Sequence, residues 1–352
     1  MLILQIKQPY HIFLFSGEQG YKGYEAGCRQ RCMASVLITG GGGYIGHACA
    51  LAFAAEGWDV RVLDHKTVEQ SSVLQALVAK GCTHHASDIR NAEKVADALQ
   101  GCDVLVHLAA ITSVPDSVKD PEATMSVNVE GTANVLAAAA NQNLAKVIIA
   151  SSAAVYGSNP SMPLDETQAL ESLSPYAESK RLNEVELERY RAKGMNGIAL
   201  RFFNVYGGHQ LDFVKNRSVI PSFVRTMASG KGPHMHGDGT QTRDFIHVDD
   251  VVAAILQLAY REAPFESSVA NVCCEQEHSL MDVVEGINQA LMHRKVLAVP
   301  LQPTHQSGRE GDIHRSFGSN QRLKSIIDWE ASIALEEGLR TMIARHLERM
   351  NA

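Results

Sequence analysis

Residues 36–46 read VLITGGGGYIG: a short apolar run, a cluster of glycines, then the opening of an amphipathic stretch that continues to about Glu56. Gly40, Gly43 and Gly46 are spaced G-x-x-G-x-x-G. Small residues at a strand-to-helix turn let the backbone approach a pyrophosphate. The helix N-terminus beyond them offers unpaired N–H groups and the positive end of a dipole. Any glycine turn shares part of this pattern, so position decides. Here the turn closes the first strand, and Asp64 stands at the end of the second, 18 residues past Gly46. That is near the spacing of an acid that accepts from a ribose 2′-hydroxyl. A carboxylate there repels a 2′-phosphate, which favours NAD over NADP; His65 and Lys66 pull slightly the other way.

Such a turn needs a sheet behind it, and the chain supplies one. Short apolar runs at 36–39, 60–64, 82–87, 103–110, 146–151 and 197–203 alternate with helical stretches at 71–79, 91–100, 125–143 and 174–193. Asn91 is placed as a helix N-cap. The run DVLVHLAA at 103–110 is nearly all apolar, as a strand covered on both faces is. This rhythm predicts an α/β fold with a doubly wound parallel sheet. After Asn204 the regularity weakens. PSFVRTMASGK and VDDVVAAILQLAY read as helices among Gly- and Pro-containing loops. The expected division is a dinucleotide-binding domain over 33–204, with 243–272 returning to it. A smaller C-terminal α/β substrate domain is expected from 205–242 and 273–352. Residues 1–32 have two short apolar patches and little period. They read as a loosely held N-terminal extension rather than a secretory signal, since Lys7 follows the first patch instead of preceding it.

Composition narrows the partners. The formal charge is −7 with acids and bases interspersed, so no basic stripe argues for nucleic acid. No apolar run reaches about eighteen residues, so no membrane span is expected. Seven cysteines (28, 32, 49, 82, 102, 273 and 274) match no zinc spacing. Free thiols in a reducing cytosol, hence a cytoplasmic protein, are the simplest reading. His84-His85 and the His234/His236 pair lack the neighbours a metal site needs, and no metal is expected.

Tyr176 and Lys180 stand four apart in the predicted helix 174–193 and share one face. A phenol of pKa about 10 is a poor base at neutrality. A neighbouring ammonium and a positively charged nicotinamide are expected to lower that value. Upstream, the strand 146–151 ends in SSAAVYG at 151–157. With these motifs in order, the chain from about Ser35 resembles the extended short-chain dehydrogenase/reductase family, in its nucleotide-sugar epimerase/dehydratase branch. The resemblance rests on TGGGGYIG, DIR at 88–90, HLAA at 107–110, SSAAVYG, YAESK, LRFFNVYG, GDGTQTRDFIHVDDV and GREGD at 308–312.

That resemblance implies a Rossmann-type fold and assigns residues. Tyr176 would exchange a proton with a sugar hydroxyl, Ser152 would share that hydrogen bond, and Lys180 would hold the nicotinamide ribose and tune Tyr176. NAD, tightly bound and regenerated each turnover, would lie against Gly40, Gly43, Tyr44, Ile45, Gly46, Asp64, Asp88, Ile89, Leu108, Ala109 and Ala110, besides Tyr176 and Lys180. The sugar nucleotide, expected to be UDP-linked, would meet Ser113, Ser152, Asn204, Val219, Arg243, Arg309, Asp312 and Ser316. Two guanidinium groups suit a diphosphate. Arg243 beside Asp244, or Arg309 beside Glu310, could instead be simple ion pairs.

The family's 4,6-dehydratases carry Asp-Glu directly after the serine position, and its uronate decarboxylases carry Glu there. This chain has Ala153 and Ala154, whose methyl groups move no protons. Oxidation at one carbon and its reversal remain, which is 4-epimerisation through a transient 4-keto sugar. In the hexose 4-epimerases the residue seven past the REGD arginine walls the pocket beside the C2 substituent. Here it is Ser316, small enough for an N-acetyl group, so UDP-GlcNAc/UDP-GalNAc and UDP-Glc/UDP-Gal are expected substrates. A uronate 4-epimerase, a nucleotide-sugar dehydrogenase or reductase, and a non-catalytic NAD-binding protein stay as alternatives. The predicted helices 125–141 and 174–193 resemble the family's dimer-forming pair, which implies a homodimer.

Overall fold

The computed structural model describes residues 34–213, 218–308 and 313–350; the 1–32 extension lies outside the described residues. Strand β1 (Ser35–Thr39) is buried at every position. Its side chains alternate between two cores. Val36 and Ile38 join a cluster with Phe53, Ile255 and Leu258, whereas Leu37 joins Leu105, Leu136 and Leu187 on the opposite face. Period-two alternation in an all-apolar strand is what a sheet covered on both sides produces. Each such fully buried aliphatic side chain contributes about 1.5–3 kcal/mol relative to exposure.

The covering helices follow in order: α1 (Tyr44–Ala55), β2 (Asp59–Asp64), α2 (Ser72–Ala79), β3 (Thr83–Ala86), α3 (Ala92–Leu99) and β4 (Val104–His107). Asn91 caps α3 by accepting from the Lys94 N–H at 3.1 Å, as expected. After α4 (Val114–Lys119), helix α5 (Pro121–Met125) leads through a π turn at Ser126–Glu130 into α6 (Gly131–Asn141). The sequence predicted one unbroken helix over 125–143. The structure starts it at Pro121, capped by Asp120, and adds the π turn. Then come β5 (Lys146–Ser152), α7 (Pro175–Arg191) and β6 (Gly197–Phe202). Ser174 caps α7 from the Ala177 N–H, with Pro175 at the first helical position.

Beyond β7 (Asn204–Tyr206) come α8 (Val219–Ala228), β8 (His234–His236), β9 (Thr242–Arg243), β10 (Phe245–His247), α9 (Val248–Tyr260) and β11 (Val269–Val272). Strand β11 pairs with β6, so the seven-stranded parallel sheet runs β11-β6-β5-β4-β1-β2-β3. The last elements are β12 (His278–Ser279), α10 (Leu280–His293), β13 (Thr304–Gln306), α11 (Gln321–Ile326) and α12 (Leu335–Met350). Residues of α8, α10 and α12 close a separate core around Tyr206, Phe223, Ile287 and Leu339. Among the described residues no helix is long and apolar enough to cross a membrane.

Candidate active site

Neighbouring β1 and β4 carry connections that leave in opposite directions, the point where open parallel sheets bind ligands. The glycine turn lies there. Gly40 adopts φ +73°, and a Cβ on it would sit 2.7 Å from the Ala109 nitrogen. Gly46 is tighter: a Cβ would lie 2.3 Å from the Gly40 carbonyl oxygen. Gly43 begins α1 with no side-chain cap and no acid in the first turn, so its N–H groups are left for an anion. Tyr44 and Ile45 follow. The Tyr44 hydroxyl is buried and has no hydrogen-bond partner among the described residues, and burial raises its pKa.

Asp64 closes the far side of the turn. One carboxylate oxygen accepts from the Gly42 N–H at 3.0 Å and the other from the Lys66 N–H at 3.1 Å. The Gly42-facing oxygen keeps a lone pair for a hydroxyl donor, while the other also has His65 Nδ1 at 3.3 Å. Asp88 is clamped by Arg90 at 2.7 and 3.0 Å, and that bonding draws its pKa down. Ile89 is buried against Gly131. On the other wall the N–H groups of Leu108 and Ala109 meet the Thr39 hydroxyl, and Ala110 follows them. Thr39 also touches His107 Nδ1 at 2.7 Å, while His107 Nε2 meets Thr132 at 2.9 Å. Burial, with Lys180 nearby, pushes His107 down to about 3, so this imidazole is neutral. Glycine backbone, free helix N–H groups and a buried carboxylate at this spacing fit a dinucleotide.

The end of β5 faces α7. Ser152 accepts from the Ala154 N–H at 3.2 Å, which leaves its proton to donate, and it stands near enough to the Tyr176 phenol to draw that group's pKa down. Lys180 is 4% exposed; its ammonium donates to the Ala150 carbonyl at 2.9 Å and stands 5.9 Å from the Tyr176 ring centre. Burial pushes Lys180 down to about 8, against the pull of Glu184. In the chain alone, desolvation raises the Tyr176 pKa and the neighbouring Ser152 hydroxyl opposes that rise. Lys180 points its charge at a backbone carbonyl.

A second group gathers around Asp244. Its carbonyl accepts from both the backbone N–H and the side-chain amide of Asn204, and its own N–H donates to the Ser316 carbonyl. The neighbouring Thr242 N–H donates to His314. Asn204, Asp244 and Ser316 are thereby laced together, with Arg243 between Thr242 and Asp244 in the chain and Ser316 8% exposed. The Asp244 carboxylate turns inward to the N–H groups of Cys274 and Gly318. That settles the ion-pair alternative for Arg243 against Asp244 as its partner. Burial pushes the Asp244 carboxyl up to about 7. Val219 opens α8 and packs on the helical core. Ser113 caps α4 by accepting from Asp116 at 3.3 Å. Arg309 and Asp312 lie outside the described residues.

Sequence reasoning missed Asn128. Fully buried at the π turn, it bonds both the N–H and the carbonyl of Ile111 and reaches Ser179 at 3.0 Å. It also missed Ser117, whose hydroxyl accepts from the Tyr176 N–H at 3.2 Å. Glu184 and Arg201 escaped notice as well. The spacing Tyr176, Lys180, Glu184 was the available signal for the first of that pair.

Comparison with known proteins adds a lineage. Residues 36–273 match the family described as NAD dependent epimerase/dehydratase. The UDP-glucose 4-epimerase of Mycolicibacterium smegmatis is 30% identical over 319 residues, 86% of this chain and 95% of that protein. A UDP-N-acetyl-alpha-D-glucosaminuronate decarboxylase of Bacillus cytotoxicus is 30% identical, covering 90% and 97%. The solved UDP-N-acetylglucosamine 4-epimerase of Methanobrevibacter ruminantium, in complex with UDP-N-acetylmuramic acid, superposes with a TM-score of 0.81 at 30% identity. That superposition covers 90% of this chain and 99% of the other.

Proposed function

The chain belongs to the NAD-dependent epimerase/dehydratase family and is an NAD-dependent nucleotide-sugar epimerase, and we propose that it inverts C4 of UDP-GlcNAc/UDP-GalNAc and of UDP-Glc/UDP-Gal. NAD, when bound, would supply the hydride acceptor for oxidation at C4 and its reversal. Its pyrophosphate would rest on Gly40, Gly43 and the first turn of α1, where Tyr44, Ile45 and Gly46 follow, and its adenine ribose on Asp64. Asp88, Ile89 and Leu108–Ala110 would line the rest.

Tyr176 takes the proton of the sugar 4-hydroxyl and gives it back after the 4-keto sugar has turned over. Ser152 donates to the same oxygen and holds it through both half-reactions. Lys180 supplies positive charge beneath the phenol and bonds the nicotinamide ribose. Asn204 and Arg243, with Arg309 and Asp312, would bind the diphosphate and nucleoside, and Ser113 and Val219 would flank the sugar nucleotide. Segments 205–242 and 273–352 form the substrate-binding part in this reading. A homodimer through the α5–α6 and α7 faces and a reducing, cytosolic home belong to the same proposal.

One observation carries it: Ser152, beside Tyr176, is followed by Ala153 and Ala154. The decarboxylase relative is therefore no guide to the chemistry, because nothing at those positions can move a second proton. Choice of sugar rests on Ser316. The parent chain should turn over both UDP-GlcNAc and UDP-Glc. Ser316→Tyr should cut the ratio of kcat/KM for UDP-GlcNAc over UDP-Glc by about tenfold or more, the size of effect a steric clash in a pocket produces. Competition assays with both sugars measure it; an unchanged ratio removes Ser316 from the argument.

A further inference from the structure

Three consecutive residues of β5 face three residues of α7 at four-residue steps. Ser152 stands beside Tyr176, the Ala150 carbonyl accepts from Lys180, and the Ser151 hydroxyl donates to Glu184. The first two pairs belong to the reacting groups. The third does not, yet it is the most heavily braced. Arg201 on β6 is in register with Ser151 and grips both Glu184 oxygens, at 2.9 and 2.7 Å. The pair is almost closed to solvent, with side chains 4% and 12% exposed. Arg201 in turn donates to the Tyr156 hydroxyl at 2.8 Å, which donates to Asn271 on β11 at 2.8 Å. A buried ion pair is a weak stabiliser compared with apolar packing of the same volume, so its place in the fold calls for another reason.

We infer that Glu184, held by Arg201, is a positioning residue that locks the Ser152 end of β5 against the Tyr176–Lys180 face of α7 and supplies the counter-charge for Lys180. The inference rests on the reaction proposed above. The titratable and charged groups around Lys180 are Tyr176 and Glu184 on its own helix and His107 on β4, with Arg201 of β6 behind Glu184. His107 is neutral, which leaves Glu184 as the anion that favours the ammonium.

Glu184→Gln keeps the shape and removes the charge, but it strands Arg201. The companion Glu184→Gln/Arg201→Met removes both charges, a replacement buried pairs tolerate. In either variant kcat should fall about tenfold, with KM near the parent value. In Glu184→Gln the alkaline fall of the kcat profile should move toward acid by about one pH unit, because Lys180 deprotonates sooner; in the double variant, where the opposing Arg201 charge goes too, it should move less. Ser151→Ala removes the tie but not the charge. It should lower kcat severalfold without moving the profile, since Glu184 still faces Lys180. A purely structural pair would lower the melting temperature and leave the alkaline limb in place. Parent titration behaviour in Glu184→Gln, or parent kcat in Ser151→Ala, overturns this proposal alone. A parent chain that epimerises no UDP-sugar overturns the reaction it rests on.

Discussion

Tyr176→Phe should lose about a thousandfold in kcat while still carrying its dinucleotide, within the range that removing a positioned general base or acid produces. The substitution deletes one oxygen from a ring that is already half-buried against Lys180, so the fold has little to lose. What disappears is the hydroxyl that stands beside Ser152. The phenol's raised pKa sharpens the expectation: in the chain alone it is held protonated. In the proposed reaction it becomes a usable base when the positive charge of oxidised nicotinamide would join Lys180 beside it. The Tyr176 pKa, followed by ultraviolet difference spectra against Tyr176→Phe, should therefore be lower in the NAD⁺-loaded protein than in protein stripped of dinucleotide. Turnover of Tyr176→Phe within a few-fold of the parent, dinucleotide still bound, would mean another group moves the proton.

Gly46→Ala should cost the protein its cofactor. The added methyl would lie 2.3 Å from the Gly40 oxygen and 2.9 Å from the Gly41 Cα, and both are backbone atoms that no rotamer change relieves. Helix α1 must lift from the turn, at about 1–3 kcal/mol for such overpacking. If about 2 kcal/mol of that falls on dinucleotide binding, affinity drops roughly thirtyfold. Dinucleotide released on denaturation, quantified after extensive dialysis, should be near stoichiometric in the parent and largely absent in Gly46→Ala. Equal retention would show that the turn is looser than its contacts indicate.

Local pattern carried the sheet and the placement of half the candidate site residues on their elements. Apolar runs, glycine spacing and the four-residue step from Tyr176 to Lys180 are features of short windows, and each landed on the element expected. Asn128 did not declare itself, because its partners Ile111 and Ser179 lie 17 and 51 positions away. A π turn to bring it round is invisible in a run that otherwise reads as plain helix. Glu184 looked like one more charge on a polar helix; only the arrival of β6 with Arg201 makes it an interior residue. Asp244 looked like an ion-pair partner for its neighbour, and its carboxylate instead serves two backbone N–H groups from distant segments. Desolvation, which raises the Tyr176 pKa in the chain alone, depends on what surrounds the ring, which no spacing records.

The most direct test is to incubate the purified protein in turn with UDP-GlcNAc and UDP-glucose, reading C4 configuration by NMR and nicotinamide absorbance in the same sample. Epimerisation without net redox change predicts that each sugar approaches a mixture of both C4 configurations while the absorbance ends where it began. A sugar left unchanged in both cases, or reduced nicotinamide building up in step with an oxidised product, would contradict it.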